Sequence, residues 1–250
     1  MYFTALAFIA AAFLYASVGF GGGSTYTAIL IESGLHWELV PPVSLVCNLV
    51  VVSGGVYHFA KAGHLNLRFA APLIVTSVPA AFLGGYLRLD ESSFLQILGL
   101  ALLVSGFLLL QGRQWRKARE FAPQTGALIS LGLGLLLGGL AGITGIGGGI
   151  YLAPILHLTR LAEAKTVAAT CSLFILVNSL GGLAGQLAKL GDSAGELLDV
   201  AYLVLPLAVL IGGQLGSRAG ANWFKASHIR RLTGLVILVV SVRLLWLSWY

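Results

Sequence analysis

Apolar residues run along this chain in long blocks separated by short polar intervals. The blocks Phe94 to Leu110, Leu128 to Ile143 and Thr233 to Trp249 each approach the roughly 20 residues that a helix needs to cross a hydrocarbon core. The first half resolves into helices over about Tyr2 to Val18, Pro41 to Ala60, Phe69 to Leu87 and Phe94 to Gln111, with a short segment at Ser24 to Ser33. The second half gives Gly126 to Ile143, Ala164 to Ala188, Val200 to Gly216 and Ile229 to Trp249, with a short segment at Ile150 to Thr159. At 1.5 Å per residue each short segment spans only ~15 Å, half a bilayer, which predicts a re-entrant hairpin with the helix before it.

The two halves repeat one another. Gly19-Phe20-Gly21-Gly22-Gly23 recurs 126 residues later as Gly145-Ile146-Gly147-Gly148-Gly149. Ile29-Leu30 matches Ile155-Leu156 at the same shift, Ser53 matches Ser179, and Gly84-Gly85 reappears as Gly212-Gly213. This divides the chain into a repeat at 1–111, a basic linker at 112–123 and a second repeat at 124–250. With re-entrant hairpins each repeat makes three net crossings, and an odd number inverts the second repeat relative to the first. The expected fold is therefore an all-α polytopic membrane protein: two inverted-topology repeats, each a re-entrant helical hairpin plus three transmembrane helices.

Composition and charge sharpen that picture. Hydrophobic residues make up 58% of the 250 positions and charged residues 10%, against about a quarter charged in a soluble domain. Met1-Tyr2-Phe3-Thr4 lacks the basic segment of a cleavable signal, so the first hydrophobic stretch is expected to be retained. With the linker in the cytoplasm, loops 61–69, 112–123, 157–166 and 217–231 fall inside, and loops 31–40, 88–93 and 188–199 outside. Twelve of fifteen basic residues are then inside and seven of nine acidic residues outside, as the positive-inside rule requires. Trp37, Trp115, Trp223, Trp246 and Trp249 fall in loops or at helix ends, where an interfacial belt places them. The scattered basic loops exclude a nucleic-acid partner despite the charge of +6. Both termini are expected outside the cytoplasm.

Secondary transporters with interrupted helices bind substrate near the midplane, between repeats. Here the interruptions are the glycine motifs, each followed by a short helix whose first N–H groups lack intrahelical partners. Two such N-termini facing each other form a positively polarised cage suited to an anion. The candidate binding residues are Gly21, Gly22, Gly23, Ser24, Thr25, Asn48 and Ser53 in the first repeat. Their partners in the second are Gly147, Gly148, Gly149, Ile150, Tyr151, Thr170, Asn178 and Ser179. Against this stands simple packing, since small residues also let membrane helices approach closely. Cys47 and Cys171 read as buried side chains, and no metal-ligand spacing, cofactor or catalytic residue is expected. Arg243 is expected to snorkel to the outer interface, and His58 and His64 to lie near the cytoplasmic end of their segment. A coupling proton or ion and a homo-oligomeric state stay open.

On its duplicated glycine motifs, on Pro154-Ile155-Leu156, and on Thr170-Cys171-Ser172 through Asn178-Ser179, the chain resembles the sulfite exporter TauE/SafE family over nearly its whole length. The resemblance implies export of sulfur-containing anions such as sulfite, sulfoacetate or related organosulfonates across the inner membrane of a prokaryote. Ala28, where the second repeat has Pro154, departs from it. Two other classes compete. An intramembrane serine protease would need a histidine at the depth of Ser24, and a non-transporting scaffold would bind no small anion.

Overall fold

The computed structural model describes residues 2–111, 123–159, 162–191, 195, 197, 200–222 and 226–248. The first half comprises α1 (Tyr2–Ala16), α2 (Gly23–Glu32), α3 (Val40–Lys61), α4 (Leu67–Tyr86) and α5 (Glu91–Gln111). The second comprises α6 (Pro123–Thr144), α7 (Gly149–Thr159), α8 (Ala164–Leu190), α9 (Val200–Asn222) and α10 (Ala226–Leu247). Among the described residues, α3, α4, α5, Ala127–Thr144 and Lys165–Leu190 are long and apolar enough to span a bilayer. Their outward faces, and those of α9 and α10, carry bare apolar side chains such as Val75, Leu128, Leu207 and Val239, 64 to 71% exposed. On a water-soluble protein such a surface would aggregate; here it is the lipid-facing belt.

Helices of the two halves interleave. α1 packs on α9 and α4 on α6; α3 lies on α8 and α5 on α10; α2 touches α10 and α7 touches α5. This pattern maps onto itself when α1–α5 are exchanged for α6–α10. The registers give the chain directions. Leu45 meets Gly182, Gly55 meets Ser172, and Phe59 packs with Ala168 and Ala169, so α3 and α8 run antiparallel. Gly99 against Leu245 and Gly106 against Leu238 make α5 and α10 antiparallel. α4 and α6 run parallel, as do α1 and α9.

Those parallel seams are closed by glycines four residues apart. Gly134, Gly138 and Gly142 lie on the backbone of α4 at Leu73, Ser77 and Ala81. Gly212, Gly216 and Gly220 lie on α1 and its C-terminal end at Ile9, Phe13 and Ser17. A methyl at Gly142 or Gly220 would overlap a facing carbonyl, so these helices touch backbone to backbone.

Loops 33–39 and 87–90 and the ends of α8 and α10 gather at one end of the bundle. There the Lys189 ammonium stands 5.9 Å from the Trp37 ring centre, Arg88 donates to the Lys189 carbonyl, and Arg243 pairs with Glu32. Arg243 thus has a specific partner at the end of α2 rather than only the interface. The interval 217–231 is not one loop. α9 continues to Asn222 because Gly216 and Gly220 keep packing on α1, and α10 already begins at Ala226, which puts Arg218, Arg230 and Arg231 on helices. Residues 112–122, with most of the basic linker, lie outside the described residues, as do Trp223 and Trp249.

Candidate functional site

Each glycine motif divides its work. α1 ends where Gly19, at φ 83°, turns left-handed: the Phe20 N–H donates to the Tyr15 carbonyl and the Gly19 N–H to that of Ala16. This is the glycine-terminated helix end that L side chains rarely adopt. α6 ends the same way at Gly145, φ 71°, whose N–H donates to the Ala141 carbonyl. The fourth residue of each motif then starts the short helix. Gly22 (φ 92°) accepts from the N–H groups of Thr25 and Tyr26, and Gly148 (φ 81°) from those of Tyr151 and Leu152. The remaining glycines make room. The Asn48 side chain lies against Gly21 and Gly23, Ile146 lies against Gly23, and Ile175 against Gly147 and Gly149.

The two motifs therefore touch, and the third helix of each half reaches into the motif of the other. Asn48 Nδ2 on α3 donates to the Gly145 carbonyl at 3.4 Å, and Ser172 Oγ on α8 donates to the Gly19 carbonyl at 3.1 Å. Between the motifs is a narrow cavity lined by Tyr15, Phe20, Gly21, Gly22, Gly23, Ser24, Ile146, Ile150 and Ile175. No charged side chain is in that lining. The polar side chains in the lining are Tyr15 and Ser24, beside the start of α2, while α7 contributes Ile150. The open space is that of about one water.

Hydroxyl links tie each long helix to the short helix that follows. Ser24 Oγ and Thr25 Oγ1 donate to Tyr15 Oη at 3.2 and 3.0 Å. In the second half Thr144 Oγ1 and Tyr151 Oη are 3.1 Å apart. The tyrosine is on the long helix in one half and on the short helix in the other.

Of the remaining candidates, Ser179 is buried beside Gly147, with no hydrogen-bond partner for its Oγ among the described residues. Thr170 is buried with its Oγ1 equally unpaired. Asn178 serves its own helix, donating to the Phe174 carbonyl at 2.8 Å. The structure does not bring Ser53 to the site. Its side chain is exposed and bonded to the Val50 carbonyl, because Gly54 and Gly55 take the inward face of α3 against Gln214 and Ser172. His58 lies ten residues along α3 from Asn48 and pairs with Gln214, 3.2 Å away. Tyr15, Ile146 and Ile175 join the site without having been candidates from sequence. Tyr15 stands one helical turn before Gly19, and that spacing is the sequence signal that could have found it.

The sequence pattern of one family covers this whole arrangement: the description "Sulfite exporter TauE/SafE" matches residues 3–244. The chain belongs to the sulfite exporter TauE/SafE family. Relatives are spread widely. A probable membrane transporter protein of Sinorhizobium fredii is 32% identical, over 97% of both chains. A probable membrane transporter protein of Xylella fastidiosa is 25% identical over 92% of this chain and 89% of its own. The sulfite exporter TauE/SafE family protein 1 of Arabidopsis thaliana is 34% identical over 44% of this chain and 24% of its own length. No solved structure matches the chain.

Proposed function

We propose that this TauE/SafE membrane transporter carries a small sulfur oxyanion, sulfite or an organosulfonate such as sulfoacetate, by alternating access around its paired glycine loops. The observation that carries the proposal is the convergence of two half-length helices: the first turns of α2 and α7 line one cavity, from opposite halves of the chain. Partial positive charge at two helix ends favours an anion without a cationic side chain. The family name supplies the sulfur chemistry, and the relatives' names supply transport.

On this reading the halves are inverted repeats. Equivalent helices α3 and α8 run antiparallel, as do α5 and α10, and the packing survives exchange of the halves. One half then rocks against the other. The narrow cavity is the stage in which the two motifs are together, and the Lys189–Trp37 and Arg243–Glu32 contacts hold the end expected to face outward. The chain sits in the inner membrane of a prokaryote, and its binding groups are Gly21 to Thr25, Asn48, Gly147 to Tyr151, Thr170, Asn178 and Ser179.

Thermal unfolding in detergent tests binding directly. Sulfite or sulfoacetate should raise the melting temperature more than equimolar chloride, and Gly23→Ala, which drives a methyl into Ile146 and Asn48, should remove the increment. Equal stabilisation by every anion, unaffected by Gly23→Ala, would contradict the proposal.

A further inference from the structure

The hydroxyl links on either side of the cavity look alike but leave different protons free. A hydroxyl has one proton to donate and two lone pairs to accept with. In the second half Thr144 Oγ1 donates its proton to the Leu140 carbonyl at 2.6 Å, so its contact with Tyr151 Oη must be made by the tyrosine's proton. Tyr151 has nothing left to give. In the first half the direction is reversed. Ser24 and Thr25 both donate to Tyr15 Oη, which fills its two acceptor positions and leaves its own proton without an acceptor among the described residues.

Tyr15 is 3% exposed and lines the cavity, beside Gly21 to Ser24 at the start of α2. A phenolic O–H buried there, with its oxygen already accepting twice, is a strengthened donor, since each accepted bond polarises the next. The geometry points to Tyr15 as an anion-binding residue: its phenolic proton donates to an oxygen of the bound oxyanion, while Ser24 and Thr25 position it. The binding site is then unequal. The first half supplies a phenolic donor, whereas the tyrosine of the second half, Tyr151, has its proton committed to Thr144. The ligand class is one with an acceptor oxygen of concentrated charge, such as the SO₃ face of sulfite or a sulfonate. This inference rests on the proposed transport function.

The test is the affinity of the purified protein for sulfite, by calorimetry, with the melting temperature of each variant recorded without anion. Tyr15→Phe keeps the ring and removes only the hydroxyl. A hydrogen bond to a charged partner corresponds to about a tenfold to hundredfold weaker Kd for sulfite, with the anion-free melting temperature falling by far less in proportion. Thr25→Val should weaken binding in the same direction, and its effect should vanish in the Tyr15→Phe background, because it acts only through Tyr15. Should Tyr15→Phe not fold, fluorotyrosine at position 15 provides the measurement: a more acidic phenol donates better, so sulfite should bind more tightly. Wild-type protein that binds sulfite, with an unchanged Kd in Tyr15→Phe or weaker binding by the fluorotyrosine protein, overturns the role of Tyr15 and leaves transport standing. Wild-type protein that binds no sulfur oxyanion overturns both.

Discussion

The Asn48 side chain crosses from one half of the chain to the other to donate to the Gly145 carbonyl, 3.4 Å away, and its own Oδ1 is left without a hydrogen-bond partner among the described residues. Ser172 makes the reverse crossing to Gly19 with a shorter bond, 3.1 Å. The two variants should therefore separate stability from function. Ser172→Ala strands a buried carbonyl and should cost about 1 kcal/mol of stability. Asn48→Leu removes a long bond together with an unpaired acceptor, so its stability should change by less, about 0.5 kcal/mol. Sulfite flux should rank the other way, with Asn48→Leu the more damaged. Denaturation and flux on both variants check the ordering.

The glycine seams predict opposite signs for one chemical change. Gly142→Ala places a methyl on the Ala81 carbonyl and should destabilise by about 1–3 kcal/mol, as overpacked contacts do. Gly132, on the same helix, has open space where a methyl would stand, with no neighbouring atom within 4 Å. Gly132→Ala should therefore stabilise by roughly 0.5–1 kcal/mol through the helix it stiffens. Unfolding of the two variants side by side decides this.

Asp90 starts α5 by accepting from the Ser93 N–H at 2.9 Å, and that bond holds its carboxyl below the ordinary carboxylate range. A depressed pKa means the stabilisation is complete above the unfolded value of about 4 and disappears as pH falls through the folded one. Asp90→Ala should lower the melting temperature at neutral pH and lose that deficit under strongly acidic conditions. A deficit that persists at low pH would point to packing instead.

The charge distribution predicts which end faces outward. Ser92 is at the end that gathers Trp37, Arg88 and Lys189, while Ala62 follows the last turn of α3 at the other end. Native Cys47 and Cys171 are fully buried and should not react. An impermeant thiol reagent added outside intact cells should modify Ser92→Cys and spare Ala62→Cys. The converse pattern would invert the topology.

The sequence carried the helices well because lipid-facing segments need apolar residues on every side, and ten segments emerged within a few residues of α1–α10. It failed at 217–231, where polar residues resembled a loop and only the packing of Gly216 and Gly220 on α1 shows that the helix continues. The glycine motifs were legible because two copies at matching positions are hard to explain as incidental, and the structure gives each glycine a task. Rotation about the helix axis was not legible. Ser53 and Ser179 match in the repeat, yet one faces outward and the other lies beside Gly147. Likewise Tyr15 could not be distinguished from a core tyrosine until Ser24 and Thr25 were seen to donate to it.

The most direct test of transport around the glycine loops is radiolabelled sulfite flux in proteoliposomes, with sulfoacetate, sulfate and chloride as competitors and with Gly23→Ala beside the wild type. The predicted result is sulfite flux inhibited by sulfoacetate far more than by chloride, and lost in a folded Gly23→Ala protein. Flux that Gly23→Ala leaves intact, or no flux of any sulfur oxyanion through a folded wild-type protein, would contradict it.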